Sequence, residues 1–240
     1  LSTCSPATWS STWTCRSSWK SADSPVIQPD PTVFALALLL AAARQVVSAD
    51  KFVRRGAWPS GRYGMTRRVY GARLGIVGLG RIGRAVATRA LAFGMDISYT
   101  GRTPKSDVAY RWCADARTLA AGVDFLVVCA SGGAATRGLI NRDVLATLGP
   151  AGVLINVGRG SIVDEEALLE ALQERHILAA GPDVFCHEPH IAQGLLALEN
   201  VVLTPHIASM TGATIQAMQE LTLANLSAHF DGLPVPTPVV

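Results

Sequence analysis

The sequence lacks a hydrophobic run long enough to cross a bilayer. Its longest apolar stretch, Val33–Ala43, has eleven residues, whereas a transmembrane helix needs about 20. The run reads as a buried helix face, and no membrane partner is expected. The first 24 residues lack the continuous apolar segment of a secretory leader. Cysteine pairs are lacking too: Cys4, Cys15, Cys113, Cys129 and Cys186 are odd in number and show no C-x-x-C spacing. This pattern points to reduced thiols in a cytoplasmic protein rather than to a disulfide framework. Charge of one sign is scarce. The 21 Lys and Arg against 18 Asp and Glu leave +3, which gives no reason to expect nucleic acid as a partner. Cys186, His187 and His190 are the nearest approach to a metal set, but Pro189 interrupts helical spacing and no second ligand pair follows, so no metal is expected. What remains is a chain of 240 residues, 49% hydrophobic and 16% charged. That suits a globular protein with a sizeable core, one large α/β domain or one domain plus part of another.

Along the chain, residues 1–26 stand apart. Twelve of the first 24 are Ser or Thr, and Trp9, Trp13 and Trp19 crowd there without helical or strand periodicity. After the Pro29-Asp30-Pro31 breaker, a long helix is expected from about Thr32, a plausible N-cap, to Arg55, with Gly56 and Pro59 ending it. An alternation follows. Apolar strands are expected at Arg73–Val77, Asp96–Thr100, Asp124–Cys129, Gly152–Val157, Leu178–Val184 and Val201–Leu203. Helices are expected at Arg81–Phe93, Asn141–Leu148, Glu165–Arg175 (capped by Asp164) and Thr211–Phe230. Strand–helix alternation implies a mostly parallel sheet covered on both faces: an α/β, Rossmann-type doubly wound fold over residues 27–208, followed by a C-terminal helix and tail at 209–240.

The first βα turn carries Gly78-Leu79-Gly80-Arg81-Ile82-Gly83. It follows an apolar strand and opens an apolar-periodic helix, the context in which G-x-G-x-x-G binds a dinucleotide. The first glycine permits the tight turn. The second lets backbone approach the pyrophosphate, and the third allows helix to pack on strand. One absence then becomes informative. An NAD site places Asp or Glu about 20 residues past the loop to bind the ribose 2′-OH. Here Gly101, Arg102 and Thr103 occupy that place. A carboxylate would repel a 2′-phosphate and a guanidinium would bind it, so NADP(H) is expected as the preferred cofactor, with NAD(H) a second choice.

Three later segments follow the fourth, fifth and sixth expected strands: Asn156-Val157-Gly158-Arg159-Gly160, Asp183-Val184-Phe185-Cys186-His187-Glu188-Pro189 and Thr204-Pro205-His206-Ile207-Ala208-Ser209. Loops at the carboxyl ends of parallel strands line one crevice, so an Arg, a Glu and a His should converge there. The trio suits carbonyl reduction. Arg159 can hold a carboxylate or polarise a carbonyl oxygen. His206 can donate a proton, and Glu188 paired with it would favour the charged ring and fix its orientation. Asp183 is placed to accept hydrogen bonds, the nicotinamide carboxamide among the candidate donors.

The motifs GLGRIG, NVGRG, DVF-x-x-EP and TPHIAS, in that order, resemble those of the D-isomer-specific 2-hydroxyacid dehydrogenases. The likeness runs from about Val26 to the C-terminus, and the spacings of 29 residues from Arg159 to Glu188 and 18 to His206 fit it. Arg-Thr after the second strand resembles the NADPH-dependent glyoxylate and hydroxypyruvate reductases. The resemblance implies that Arg159, Glu188 and His206 are catalytic. It also implies that Cys129, Ala130 through Thr136, Val157, Gly158 and Ser209 line the cofactor together with the glycine loop, Arg102, Thr103 and Asp183. It further implies a small 2-oxoacid substrate and a homodimer, with the helix from Thr32 at the domain and dimer interface. The family also has a substrate domain of roughly a hundred residues before that helix. Only a remnant of such a second domain is expected here, the chain being read as a truncated or frame-disrupted product. Its alternatives are therefore an inactive or cofactor-binding-only fragment, or a member acting on phosphite or a bulkier 2-oxoacid. Pro182 and Ala130, where the family has an aliphatic residue and a proline, are expected to be tolerated.

Overall fold

The computed structural model describes residues 29–238; the expectations for residues 1–26 lie outside the described residues. Six strands form one parallel sheet: β1 (Arg73–Val77), β2 (Asp96–Thr100), β3 (Arg111–Cys113), β4 (Phe125–Val128), β5 (Val153–Asn156) and β6 (Ala179–Pro182), in the order β3-β2-β1-β4-β5-β6. β4, β5 and β6 are buried at every position, as strands covered on both faces must be. Alternate residues serve opposite cores. Phe125 and Val127 pack with the helices α1 (Pro29–Ala43) and α3 (Arg81–Ala90). Leu126 and Val128 pack with α4 (Ala116–Ala120), α5 (Arg142–Leu148) and α6 (Glu165–Gln173).

The long leading helix is not continuous. α1 ends at Ala43 and α2 (Val46–Arg54) leaves it at 57°. Gln45 sits between them in the left-handed region at φ 51, and Ser48 Oγ and Tyr63 Oη bond its carbonyl and side chain. α1 starts at Pro29 rather than Thr32, whose side chain is instead fully buried. Proline suits a first helical turn because the N–H it lacks has no partner there.

The sixth expected strand, Val201–Leu203, reduces to a single bridge, Ala180↔Val201. The hydrogen bonds explain why. Ala180 N donates to Asn200 O, Val202 N donates to Ala180 O, and Thr204 N reaches Pro182 O at 3.4 Å. The next rung would be an N–H from residue 182 to Val202 O, and proline has none. The edge strand β3 and the short helices α4 and α7 (Gln193–Leu196) carry too few residues to show a period, although Asp115 accepting from Thr118 N caps α4. α8 (Gly212–Phe230), capped by Thr211, buries only Thr214. Among the described residues no single helix is long and apolar enough to cross a membrane.

Candidate active site

The chain order reverses between β1 and β4, and in such sheets the ligand crevice opens at the carboxyl ends of the strands beside that point. The glycine loop follows β1. Gly78 adopts φ +93, and a Cβ there would fall 2.7 Å from the Ala130 Cα; at Gly83 it would fall 2.2 Å from the Gly78 carbonyl. Internal packing therefore requires both glycines. Gly80 differs: a Cβ would meet nothing within 4 Å. Among the described residues no contact explains that glycine, and the open space beside it leaves room for a ligand against the backbone. α3 begins directly after it without a side-chain cap or an acidic residue in its first turn. Its first N–H groups thus suit a pyrophosphate. Arg102 and Thr103 are exposed beyond β2.

Close approaches run from this loop across the crevice. Ala130 touches the Gly78 turn on one side, and on the other its carbonyl lies 2.7 Å from where a Gly158 Cβ would be. Leu79 and Val157 bury their side chains in the core, and Ile82 and Cys129 are half-buried against it. Burial pushes the Cys129 thiol up to about 12. Thr136 bends its hydroxyl back to Ser131 O at 2.9 Å and shapes its own loop.

Arg159 stands exposed after β5. Asn156, buried at the strand's end, clamps this turn from both sides: its Oδ1 accepts from Gly158 N and its Nδ2 donates to Arg159 O, each at 3.1 Å. Arg159 Nη1 donates to Gly158 O at 2.7 Å. Gly160 then lets the turn meet the next loop; a Cβ there would lie 2.0 Å from Phe185 backbone. In that loop Glu188 Oε1 accepts from Phe185 N at 2.9 Å, and its Oε2 lies 2.8 Å from His206 Nδ1. The sequence puts these two residues on loops expected to converge, and the structure brings them together.

Asp183 faces inward. It is fully buried and accepts from Thr204 Oγ1 at 2.7 Å, Ile207 N at 3.0 Å and Ala208 N at 2.9 Å. These bonds bind β6 to the loop that bears His206 and Ser209. His206 needs such support. Its φ of 54 is left-handed, a conformation that costs a non-glycine residue about 1–2 kcal/mol, and its N–H donates to Asp183 O at 2.8 Å. Asn156, Gly160 and Thr204 are thus structural partners of the site, residues inside the motifs to which the sequence alone assigns no role. The available signals were a polar residue ending an apolar strand and a threonine ahead of Pro205.

An open depression of about 620 Å³ lies at the opposite, amino end of the sheet, lined by Arg67, Arg68, Tyr70, Pro150 and Leu178 among others. It shares no residue with the crevice. Among the described residues no group of three or more His, Cys, Asp and Glu is assembled that could hold a metal ion.

Residues 36–208 match the family described as D-isomer specific 2-hydroxyacid dehydrogenase, NAD binding domain. The chain is 47% identical over 215 residues to hydroxyphenylpyruvate reductase of Plectranthus scutellarioides. It is 45% identical over 215 residues to glyoxylate/hydroxypyruvate reductase A of Arabidopsis thaliana. Each alignment covers 90% of this chain and 69% of the relative. Among solved structures, the NADPH-dependent glyoxylate/hydroxypyruvate reductase of Sinorhizobium meliloti, in complex with NADP and malonate, superposes with a TM-score of 0.86 at 42% identity, covering 90% of this chain and 69% of that one.

Proposed function

The chain belongs to the D-isomer specific 2-hydroxyacid dehydrogenase family of oxidoreductases, and from that premise we propose that it reduces a small 2-oxoacid, glyoxylate or hydroxypyruvate, to the 2-hydroxyacid, with NADPH preferred over NADH. The Glu188–His206 pair at 2.8 Å carries the reading. It sits on the loops that continue the crevice begun at Gly80, the glycine of its loop with room for a ligand. The cofactor, when bound, supplies a hydride for the carbonyl carbon. His206 supplies the proton for the carbonyl oxygen. With Nδ1 facing Glu188, Nε2 is the ring atom left to give it. Arg159 meets the substrate carboxylate or polarises the carbonyl; one of its five N–H donors goes to Gly158 O. Arg102 and Thr103, in place of an acid, favour the 2′-phosphate.

The test is direct. The chain is mixed with NADPH and glyoxylate or hydroxypyruvate, and cofactor absorbance is followed. Turnover is expected, with His206→Ala abolishing it while NADPH fluorescence still reports binding. NADPH binding with no turnover on any 2-oxoacid tried would overturn the enzymatic reading. The likeness to hydroxyphenylpyruvate reductase favours a second reading, a bulkier aromatic 2-oxoacid; a higher kcat/KM on hydroxyphenylpyruvate than on glyoxylate would establish it. The assembly we propose is a homodimer through the α1–α2 limb. Val46, Val47, Val53 and Trp58 expose apolar surface there, and sedimentation of the purified chain tests it.

A further inference from the structure

We propose that Glu165, the first residue of α6, is a positioning residue for the Glu188–His206 pair, its carboxylate fixing the loop from which Glu188 reaches the imidazole. The proposal rests on the 2-oxoacid reductase reading and deepens it. Glu165 Oε2 accepts from the Cys186 N–H at 3.0 Å, across 21 residues of chain. The neighbouring N–H, that of Phe185, donates to Glu188 Oε1 at 2.9 Å. Consecutive backbone donors are therefore held by two carboxylates, one on α6 and one in the loop itself. The other oxygen of Glu188 then faces His206 Nδ1 at 2.8 Å. Glu165 is not needed to cap its own helix, because Asp164 does so by accepting from Ala167 N at 3.0 Å. Glu165 and Glu166 both suit the positive helix end, but Glu166 is exposed whereas Glu165 is half-buried.

Two other contacts seat this loop on the same segment. Gly160 admits the Phe185 backbone, and Cys186 Sγ donates to Val163 O at 3.7 Å. Burial, foremost, and the Glu165 carboxylate hold the Cys186 thiol above its ordinary value, so Sγ stays a neutral donor. A thiol is a weak donor, and clearance at Gly160 permits an approach without fixing it. The bond from Cys186 N to an ionised carboxylate is the strong link. It also sets Glu188 relative to Arg159, because only the short helical turn Gly160–Ile162 and the two residues after it lie between Arg159 and the start of α6 at Glu165. Without Glu165 the Cys186 N–H turns to water or to Glu188 itself, and either shifts the carboxylate that orients the imidazole. A misplacement of about 1 Å at a reacting group can lower a rate on the order of a hundredfold.

The experiment reads the His206 tautomer and the kinetics of the full chain. The variants are Glu165→Ala, Glu165→Gln and, as a control at the same helix end, Glu166→Ala. Ring nitrogen NMR shifts, assigned by difference against His206→Ala, are recorded in alkaline buffer with the imidazole neutral. The unaltered chain is expected to hold the Nδ1–H form, which donates to Glu188. Glu165→Ala is expected to mix the two tautomers and to lower kcat on glyoxylate or hydroxypyruvate about tenfold, with KM and NADPH affinity within about twofold. Glu165→Gln keeps an acceptor oxygen for Cys186 N and is expected to restore the tautomer and most of kcat, and Glu166→Ala to change neither. An unchanged tautomer in Glu165→Ala, or a Glu165→Gln as impaired as Glu165→Ala, overturns the positioning role and leaves the reductase reading standing. Mixed tautomers in the unaltered chain would bring down the Glu188–His206 pair and the proposal together. The tautomer is read without turnover, so a chain inactive on every 2-oxoacid overturns the reductase reading while the spectra still decide what Glu165 does.

Discussion

Gly80 and Gly83 are three residues apart in one motif, and the structure gives them opposite reasons to be glycine. A methyl group at Gly83 would press on the Gly78 carbonyl at 2.2 Å, whereas one at Gly80 would meet open space. Gly83→Ala is therefore expected to destabilise the fold by about 1–3 kcal/mol, the usual cost of overpacking. Gly80→Ala should leave the unfolding midpoint nearly unchanged and weaken NADPH binding instead. Denaturant unfolding and fluorescence titration of the two variants separate these effects. Asp183 supports a similar contrast. It holds three donors from the His206 loop in a fully buried place. Asp183→Ala leaves those donors without their acceptor, at about 1–3 kcal/mol for each that stays dry. Turnover should fall with it because His206 loses its support, and the two losses are checked by unfolding and by kcat.

At the scale of elements, caps and breaks obeyed local chemistry. Asp164 accepts from Ala167 N at 3.0 Å and starts α6 where the sequence places it. Asp164→Ala is expected to cost about 1 kcal/mol, measurable as a lower denaturant midpoint. β1 and β2 coincide with their apolar runs, residue for residue. Other elements were not legible. Val201–Leu203 has a strand's composition, yet its pairing fails at Pro182, which belongs to a different segment. The bend at Gln45 is invisible in a run of Ala, Arg, Gln and Val that suits a helix, because its hydrogen-bond partner Tyr63 lies 18 residues away. β3 exists because Ser98, Tyr99 and Thr100 offer it an edge, not because Arg111-Trp112-Cys113 announces a strand.

The molecule as a whole is tied across its sheet by Asp124. Its carboxylate accepts from Arg67 Nη2 at 2.7 Å, from Arg73 Nη2 at 2.9 Å and from Arg73 N at 2.9 Å, joining the segment before β1, β1 itself and the entry to β4. The Arg73 guanidinium, foremost, holds this carboxyl below its ordinary 3.8. A depressed carboxylate contributes stability that is complete above the unfolded value and is lost as pH falls through the folded one. Asp30, Asp107 and Asp115 shift in the same direction. Stability is thus expected to be steady near neutrality and to fall below about pH 4. Asp124→Asn should be less stable at pH 7 and lose less on acidification, as denaturant melts at the two pH values would show. The crevice supports a second prediction at this scale. NADPH at about 100 times its Kd should raise stability by about 2.7 kcal/mol, a gain that NADH at the same concentration matches only if its Kd is equal.

The sequence by itself determined the fold class, the chain order of the principal strands, the glycine loop and the residue types of the candidate catalytic trio. These are local facts: an apolar run, a cap and a glycine turn are read by their own neighbours in the chain. It also set Glu188 and His206 in the order that pairs them. Only the tertiary structure decided what each residue spends its bonds on. Asp183 turns inward to hold the His206 loop, Asn156 fixes the Arg159 turn, and Tyr99 and Trp112 brace the turn beyond β2. Gly80 is left as the glycine of the G-x-G-x-x-G loop with space beside it. The physical reason is that hydrogen bonds and clearances join atoms close in space but 20 or more residues apart, as Asp183 and Thr204 are, 21 residues apart in the chain, and nothing in a residue's own neighbourhood records the partner that folding brings to it.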